Sequence, residues 1–468
     1  MNPCLCTDSY KLTHWKQYPP GTEYVHSYLE ARGGMYNRQV MFGMQYLLNT
    51  ALAPFDEDDI DEAEAFCVDH FGQTGLFNRA GFDRIIGAHT GHWPVRIRAV
   101  PEGLSVPLHN VLVTMENTDP MLPWVTNFLE TKVVQLWYPI TVATVSQHCR
   151  RTILHYLRKT GTPADVDFKL QDFGFRGVSS EESALIGGMA HLVNFKGSDT
   201  IPAIVGAKRH YYADMAGFSI PGSEHSTITS WFGPASETAA YRNILRQYPE
   251  GLVACVSDSL DIYVACDALW GTVLREDVLS RNGVLIIRPD SGDPPEVVLK
   301  CLRILYERFG GTLNIQGYRV LDSHVRLIQG DGVDPVMIDR ILDQMAQDGW
   351  SADNIAFGMG GALLQKLNRD TCQMAMKCSA VTVNGRDYPV SKSPVDAPLK
   401  HSKAGRLTLM QHPDGHFETV TQEQSRVYPQ FKDYDDVMRI VYEHNRDHHY
   451  VIKPETLDTI RERARQGE

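Results

Sequence analysis

The chain has 468 residues, 43% of them hydrophobic and 22% charged, which is ordinary for a globular protein and long enough for two or three domains. A formal net charge of -12 argues against a general nucleic-acid or anionic-membrane surface, so an anionic substrate would need a local basic cluster. The nine cysteines lack metal-ligand spacing, and neither a membrane-spanning run nor a signal peptide is evident, so we expect free thiols and a cytoplasmic location.

Residues 1–150 mix strands and helices without strict alternation, and we predict that they form an α+β domain. The residue pattern predicts strands at 22–29, 95–100 and 111–115 and helices at 58–71, 124–137 and 142–157. The second and third strands alternate apolar and polar residues and should pair antiparallel. Tyr138-Pro139 is expected to separate the last two helices.

From about residue 165 a strand followed by a helix repeats, which predicts an α/β barrel or a close relative over residues 151–385. Strands are expected at 168–173, 195–199, 218–224, 252–256, 284–287, 325–329, 355–357 and 374–380. Helices are expected at 181–193, near 203, from 225, from 261, from 294, from 335 and at 362–367. Residues 179–182 (SSEE) are expected to form a capping box.

Polar side chains or glycines follow each of these strands where the next helix begins. In an α/β barrel such points face one mouth, which is where ligands bind. Each residue alone would suit a cap or a turn, but their coincidence predicts a shared active site made of Phe173, Arg176, Asp199, His225, Asp258, Asp261, Arg288, Asp290, Gly330, Asp331, Gly360 and Gly361.

The segment RPDSG, residues 288–292, is the most informative of these strand ends. It follows a continuous apolar strand and precedes Pro294-Pro295, which suit the first turn of a helix. Asp290 could accept hydrogen bonds from two ribose hydroxyls, and Arg288 could stack on a planar ring or bind a phosphate. The alternative is an aspartate N-cap with an arginine ion pair.

Other strand ends suggest parts of the same ligand. Gly360-Gly361 has the form of a phosphate site. Residues 366–406 contain eight Lys or Arg and three Asp, which gives this segment a net charge of +5. Asp290 and Asp331 suit ribose hydroxyls or magnesium, Asp199 could accept an amide N–H, and Phe173 could line a slot for a flat ring. His225 could act as a nucleophile toward phosphate or as a general acid/base, or could only cap a helix.

Residues 386–468 break the alternation, and we predict a C-terminal segment that contains a basic loop and returns to the N-terminal domain. The turn HPDG at 412–415 should join strands 407–410 and 417–420. A strand at 437–442 and a surface helix at 454–465 should follow. His444, His448 and His449 are expected in a solvated charged loop rather than in a metal site.

Several long motifs stand in an order that identifies a family. The chain resembles the nicotinamide phosphoribosyltransferase family from about residue 7 to 410, in TDSYK at 7–11, KQYPP at 16–20, DFGFRGVSS at 172–180, EHSTIT at 224–229, RPDSG at 288–292, QGDGVD at 329–334 and LQKLNRD at 364–370. The resemblance implies an irregular α/β barrel of the type II phosphoribosyltransferase kind, packed with an α+β domain.

The resemblance also implies a reaction. Nicotinamide and 5-phosphoribosyl 1-pyrophosphate (PRPP) would give nicotinamide mononucleotide and pyrophosphate, with Mg²⁺ held mainly through pyrophosphate and water rather than by an assigned protein ligand. It implies a homodimer with active sites at the interface. ATP would be an optional co-substrate that phosphorylates His225, with Asp261 orienting that histidine.

Residue roles follow from the same resemblance. Phe173 and Arg288 would flank the nicotinamide ring, with Tyr10 of the other subunit nearby, and Asp199 would accept from the carboxamide. Asp290, Gly330 and Asp331 would hold the ribose. The 5′-phosphate would lie on Gly360, Gly361 and, from the other subunit, Arg369 and Lys377. The pyrophosphate region would take Arg32, Arg176, Lys400 and His225, and Asp8 and Ser219 complete the expected substrate-binding set.

Three departures from the animal enzymes stand out: Gln171 replaces a His, Ala375 replaces a phosphate-contacting Ser, and the segment 33–41 is shorter. The nearest alternative function is the same transfer to nicotinate, against which the Asp199 carboxylate argues by repulsion. A non-catalytic binding protein would have lost these polar residues. A barrel aldolase or isomerase would need a Lys at a strand end, and none of the predicted strands before Gly360 supplies one.

Overall fold

A computed structural model of the chain describes residues 1–233, 236–392 and 402–466. Its strands are β1 Thr22–Ala31, β2 Arg38–Val40, β3 Val95–Ala99, β4 Ser105–Pro107, β5 Val111–Asn117, β6 Leu170–Asp172, β7 Gly197–Ser198, β8 Glu250–Val256, β9 Asn282–Arg288, β10 Gly311–Leu313, β11 Arg319–Leu321, β12 Val325–Gln329, β13 Ile355–Met359, β14 Met374–Val383, β15 Arg386–Pro389, β16 Leu407–Gln411, β17 Phe417–Thr421, β18 Asp435–Asp436, β19 Arg439–His444 and β20 His449–Val451.

Its α-helices are α1 Met44–Ala51, α2 Glu57–Phe71, α3 Arg79–His89, α4 Val125–Val134, α5 Trp137–Thr160, α6 Glu181–His191, α7 Ile201–Tyr211, α8 His225–Thr229, α9 Ser236–Gln247, α10 Ile262–Val264, α11 Arg275–Leu279, α12 Pro294–Phe309, α13 Pro335–Gln347, α14 Gly361–Leu364, α15 Gln422–Val427 and α16 Leu457–Arg465. A π-helical segment covers Ala265–Val273. Short 3₁₀ turns cover Pro3–Leu5, Ser9–Lys16, Pro163–Phe168, Phe175–Gly177, Ala352–Asn354, Arg369–Thr371 and Pro429–Phe431.

The chain forms two compact units. The first contains Met1–Thr144, His210–Tyr212 and the chain from Asn368 onward, and the second contains Val145–Arg209 and Ala213–Leu367. The domain boundaries predicted from the sequence lie after residues 150 and 385.

The second unit is built on a parallel sheet with the strand order β7-β6-β13-β12-β9-β8. The segment from Phe218 to Gly222 bridges both edges in parallel, because Gly197 pairs with Phe218 and Gly222 pairs with Ala254. These two isolated bridges join the edge strands into a ring, which is the irregular barrel that the sequence predicted. The closure is irregular because two bridges take the place of a full strand.

The sequence explains why the helices cover this sheet. α12 begins at Pro294-Pro295, where a missing N–H costs nothing, and it buries an apolar stripe against the sheet. α13 likewise begins at Pro335, after the Asp334 side chain accepts the N–H of Met337. Each helix therefore starts a few residues after its strand ends, so the loops between them all emerge at the carboxyl edge.

The first unit is built on an antiparallel sheet with the order β15-β14-β1-β5-β3-β19-β20. The predicted pair β3 and β5 is present. β19 pairs with β3, so the C-terminal segment lies in the sheet of the N-terminal part. The predicted hairpin at 412–415 is also present, since β16 pairs with β17.

Four local predictions differ from the structure. The strand expected at 374–380 forms as β14, but it pairs antiparallel with β1 instead of extending the barrel, because its partners lie in the first unit. The helix break lies at residues 135–136, and Pro139 is accommodated in the first turn of α5. Ser180 caps α6 through Ser183 rather than through a glutamate. The helix expected at 362–367 is the single turn α14, which ends at Leu364.

The cysteines agree with the expectation of free thiols. All nine cysteines are free, and seven of them are buried. Among the described residues, no helix combines the length and the apolar character needed to cross a membrane.

Of the three C-terminal histidines, His448 lies in an exposed loop as predicted, whereas His444 and His449 lie on the two strands that this loop joins. His444 ends β19 and is only 6% exposed, and its Nδ1 lies 3.1 Å from Nδ1 of His449 in β20. The rings of His92 and His89 lie 5.1 and 5.4 Å from that of His444. Burial, together with these neighbouring imidazoles, lowers the pKa of His444 to about 4.

The pKa of His444 predicts a loss of stability in acid. Because the folded-state pKa lies below the ordinary value of 6.5, the unfolded chain binds the proton more tightly, and stability falls as the pH drops from 6.5 toward 4. We expect the free energy of unfolding, measured with urea, to fall by about 2 kcal/mol from this group between pH 7.5 and pH 5. His444→Asn should remove that part of the loss, whereas His448→Asn, at an exposed position of the same hairpin, should retain it. Equal acid losses in wild type and His444→Asn would contradict the assignment.

Candidate active site

The carboxyl edge of the parallel sheet gathers the side chains that the sequence pointed to. Phe173 follows β6, Asp199 follows β7, Asp258 follows β8, Asp290 follows β9, Gly330 follows β12 and Gly360 follows β13. Since parallel strands all end at the same edge, the predicted residues of the second unit lie along one rim.

The ring of Phe173 lies on a floor made by two glycines. A Cβ atom on Gly358 would stand 2.0 Å from Cε2 of Phe173, so only glycine leaves room for the ring. A Cβ on Gly330 would lie 3.5 Å from the same carbon and 3.8 Å from Oδ1 of Asp290. The Phe173 N–H donates to the carbonyl of Met359, which fixes the backbone of the aromatic residue. An aromatic face thus lies next to a carboxylate.

Asp258 ties three loops of the site together. Its Oδ2 accepts from the Asp290 N–H at 3.0 Å and from the Ser291 hydroxyl at 2.6 Å. Its Oδ1 lies 3.5 Å from Nε2 of His225, and Oδ2 of Asp290 lies 3.4 Å from the same nitrogen. The imidazole therefore faces two carboxylates, of which that of Asp258 is almost completely buried.

The structure gives Asp261 a role that differs from the predicted orientation of His225. Its Oδ1 accepts the N–H groups of Tyr263 and Val264, so the carboxylate is the N-cap of α10. Asp258, three residues earlier, is the side chain that lies beside the imidazole. The sequence marked both aspartates as strand-end residues, but spacing alone could not tell which one caps the helix.

Hydrogen bonds of the preceding residue, Ser257, fix the backbone next to Asp258. The Ser257 N–H donates to the carbonyl of Arg288 at 3.0 Å, and the Ser257 hydroxyl accepts from the indole of Trp270 at 3.0 Å. Trp270 is completely buried in the π-helical segment and stacks on Tyr241. This packing fixes the strand end on which Asp258 and Arg288 depend.

Arg288 ends β9 and Asp199 follows β7, so both lie at the carboxyl edge of the sheet. Arg288 lies 3.4 Å from Asp290, and its buried Nε has no protein partner. Asp199 is exposed within an otherwise buried stretch, and its Oδ1 accepts from the hydroxyl of Ser219. Arg176 is exposed on the 3₁₀ turn that follows Phe173.

The glycines after β13 leave open backbone. A Cβ on Gly361 would meet nothing within 4 Å, and one on Gly360 would meet only the Phe173 carbonyl group, at 3.4 Å or beyond. Asp331 is exposed, and its carbonyl accepts from Gln329 at 2.8 Å. Among residues 1–233, 236–392 and 402–466, no three His, Cys, Asp or Glu side chains are arranged to hold a metal ion by themselves.

The remaining predicted residues belong to the first unit or are not described. Asp8, Tyr10, Arg32, Arg369 and Lys377 are in the first unit, and Lys400 lies outside the described residues. Arg32 is paired with Glu30 at 2.8 Å. Burial lowers the pKa of Lys377, with Glu130 acting in the opposite direction.

Part of the predicted basic segment is already neutralised within the first unit. Lys403 pairs with Glu30 at 2.5 Å, and Arg406 pairs with Glu116 at 2.7 Å and with Asp387 at 2.5 Å. The net of +5 counted along the sequence therefore overstates the charge available to a ligand.

The structure shows the surroundings of two of the residues that differ from the animal enzymes, Gln171 and Ala375. The Gln171 amide donates to the carbonyl of Phe168, and its side chain covers Gly197, where a Cβ would lie 2.3 Å away. Ala375 lies in β14 opposite Glu30.

Comparisons with known proteins agree along the whole chain. The model of the nicotinate phosphoribosyltransferase family matches residues 168–437, and that of the nicotinamide phosphoribosyltransferase N-terminal domain matches residues 2–97. A nicotinamide phosphoribosyltransferase from Xanthomonas campestris is 47% identical over 99% of this chain and 98% of its own. One from Acinetobacter baylyi is 30% identical over 100% of this chain and 97% of its own.

Solved structures support the fold. A nicotinate-nucleotide pyrophosphorylase from Pyrococcus furiosus has a TM-score of 0.62 at 14% identity, covering 99% of this chain and 95% of its own. The human nicotinic acid phosphoribosyltransferase has a TM-score of 0.56 at 16% identity, covering 98% and 93%.

The close contact between Gly358 and the Phe173 ring predicts the effect of one added methyl group. Gly358→Ala places a Cβ inside the ring of Phe173, so the ring must move or the strands must separate, at a cost of about 1–3 kcal/mol. We expect a lower thermal midpoint and a displaced Phe173 in a crystal structure of the variant. Gly361→Ala, which adds the same methyl group in open space, should leave both unchanged. A Gly358→Ala structure in which neither the ring nor the neighbouring strands have moved would refute the described contact.

Proposed function

The chain belongs to the nicotinamide phosphoribosyltransferase family, and from this premise we propose how its site performs the transfer. The enzyme transfers the phosphoribosyl group of PRPP to nicotinamide, which gives nicotinamide mononucleotide and pyrophosphate for NAD salvage. One observation supports the assignment of this function to this site. The Phe173 ring lies on the floor made by Gly358 and Gly330, and Gly330 is also close to the Asp290 carboxylate, so a position for a flat ring lies beside a position for a sugar.

The nicotinamide ring would lie against Phe173, with the guanidinium of Arg288 on its other side. Stacking between an aromatic ring and a planar cation suits a flat heterocycle. The exposed Asp199 carboxylate would accept from the carboxamide N–H₂ group. The Ser219 hydroxyl donates to one carboxylate oxygen of Asp199, and the other oxygen would then accept from the ligand.

The ribose would lie over Asp290 and Gly330, with Asp331 beside them. A carboxylate accepts from two neighbouring hydroxyls, and the absence of a side chain at Gly330 lets the sugar approach the strand end. The 5′-phosphate would take backbone N–H groups at Gly360 and Gly361, where the space for it is open.

The pyrophosphate would face Arg176, His225 and Mg²⁺. The carboxylates of Asp258 and Asp290 supply hard oxygen atoms, and the buried Oδ1 of Asp258 has no hydrogen-bond partner, so these residues fit Mg²⁺ or its water shell. When bound, Mg²⁺ would neutralise charge on the leaving pyrophosphate. Most of its ligands would be pyrophosphate oxygens and water.

Catalysis would depend on positioning and electrostatics. The bond from C1 to pyrophosphate breaks, the ring nitrogen of nicotinamide attacks C1, and the positive charge that develops on the sugar is met by the Asp290 carboxylate. The transition state would resemble an oxocarbenium ion, as in other glycosyl transfers. A side-chain nucleophile on the sugar is not needed.

We further propose a cytoplasmic homodimer with active sites at its interface. The residues from the first unit that would serve the partner's site are Tyr10, Arg369 and Lys377. Basic residues supplied by the partner would help to balance the carboxylates around His225, since the chain as a whole carries a net charge of -12.

The transfer itself gives the first test. Incubation of the protein with labelled nicotinamide, PRPP and Mg²⁺ should form nicotinamide mononucleotide, measured by chromatography. Nicotinate should react at least about tenfold less efficiently, because a second carboxylate beside Asp199 would cost about 1.4 kcal/mol or more. Reactions without PRPP serve as controls. Absence of mononucleotide with folded protein would overturn the function, and preference for nicotinate would favour the alternative acceptor.

ATP coupling is a separate proposal that rests on His225. The imidazole would take the γ-phosphoryl group of ATP, releasing ADP, and water would later release phosphate. We expect acid-labile label from γ-labelled ATP on the wild-type protein and none on His225→Ala. His324→Ala, which changes a half-buried histidine also paired with an aspartate, should keep the label. Equal labelling of wild type and His225→Ala would contradict phosphorylation at this residue.

A further inference from the structure

A buried aspartate lies directly behind the residues that would bind nicotinamide. Asp172 ends β6, and its side chain is completely buried. In the strand it lies on the same buried face as Leu170. An apolar residue would be buried there without a free-energy penalty, whereas a carboxylate loses its hydration. We therefore expect a role that explains an aspartate at this position.

The side chain of Asp172 fixes the turn that carries Phe173. Its Oδ1 accepts the N–H of Gly174 at 2.7 Å. Phe173 is therefore held from both sides, by this bond on one side and by its own N–H bond to the Met359 carbonyl on the other. Loss of the carboxylate would free the Gly174 end and let the ring leave its floor.

The main chain of Asp172 fixes the other half of the slot. Its carbonyl accepts the N–H of Asp199 at 3.0 Å, and Asp172 pairs with Ser198 in β7. The Ser198 hydroxyl accepts the N–H of Thr200, which holds the turn on the far side of Asp199. One residue thus connects the ring-stacking position to the carboxamide acceptor.

The surroundings leave room for an aspartate and little else. A Cβ on Gly188 of α6 would lie 3.1 Å from Oδ2 of Asp172, and one on Gly174 would lie 3.0 Å from its Oδ1. Burial raises the pKa of Asp172 to about 6, and nearby Asp199 adds to that rise. The Gly174 N–H and the hydroxyls of Thr200 and Ser198 act in the opposite direction on this pKa, so these polar groups surround the carboxylate.

We propose that Asp172 is the positioning residue that sets the distance between the Phe173 ring and the Asp199 carboxylate, and thereby the fit of one nicotinamide. This inference rests on the proposed function and deepens it. Asp172 does not touch the substrate. It acts through the two residues that do.

The test compares substitutions that separate the hydrogen bond from the charge. Asp172→Ala removes the acceptor for Gly174, and we expect the KM for nicotinamide to rise about tenfold, the equivalent of one lost hydrogen bond, with the KM for PRPP changed less than about twofold. Asp172→Asn keeps an oxygen at the same place and should restore the KM for nicotinamide to within about threefold of wild type. Asp199→Asn, which alters the acceptor itself, is the reference for a direct loss.

Asp353→Ala is the matched control. Asp353 also holds a backbone N–H, that of Thr162 at 2.8 Å, but it precedes β13 and lies at the opposite edge of the sheet. It should leave both KM values unchanged. Circular dichroism and thermal midpoints establish that each variant is folded, and if Asp172→Ala does not fold, Asp172→Ser is judged by the same criterion.

The outcomes separate this inference from the proposed function. A folded Asp172→Ala with an unchanged KM for nicotinamide would overturn it, as would equal increases in the KM for nicotinamide and for PRPP, which would indicate general structural damage. Failure of Asp172→Asn to restore the KM would also refute the hydrogen-bonding role. Absence of mononucleotide formation by the wild-type protein would instead overturn the proposed function.

Discussion

The parallel alignment of β6, β13, β12, β9 and β8 is the constraint on which the site depends. Residues far apart in sequence become neighbours only because these strands all end at one edge. The register then decides which residue reaches the rim: Val256 pairs with Arg288, so Asp258 and Asp290 stand at equivalent heights and can share a hydrogen bond. A one-residue slip of either strand would turn the side chains of that strand to the other face and separate the two aspartates.

Much of this arrangement could be predicted from the sequence. Apolar strands followed by Asp, Arg or Gly at a helix start identified the rim, because that pattern is local and has a direct physical cause. The choice between Asp258 and Asp261 could not be predicted, since it depends on which carboxylate the first turn of α10 captures. The pairing partner of the strand at 374–383 could not be predicted either, because the sequence pattern of an apolar strand is the same whether it pairs with β13 or with β1.

Two further features could be found only in three dimensions. Gly358 lies inside a buried strand, and a glycine there signals close approach, but only the structure shows that the approaching group is the Phe173 ring. His444 has polar and charged neighbours in sequence and therefore looks exposed. The rings of His89 and His92, which are distant in sequence, lie against it, and it is buried; this long-range effect is not contained in local composition.

The site carries several negative charges, although its proposed substrate is itself an anion. Asp258, Asp290, Asp331 and Asp199 line a rim that would receive a polyphosphate, while the described basic residues near β14 are partly paired with Glu30 and Glu116. Carboxylates next to an anion are favourable only when cations stand between them, so under the proposed function Mg²⁺ and arginine would lie at the pyrophosphate. The same carboxylates would become favourable as positive charge develops on the ribose. An acidic rim would thus repel the anionic ground state and stabilise the cationic sugar, which is the direction in which binding energy accelerates a reaction.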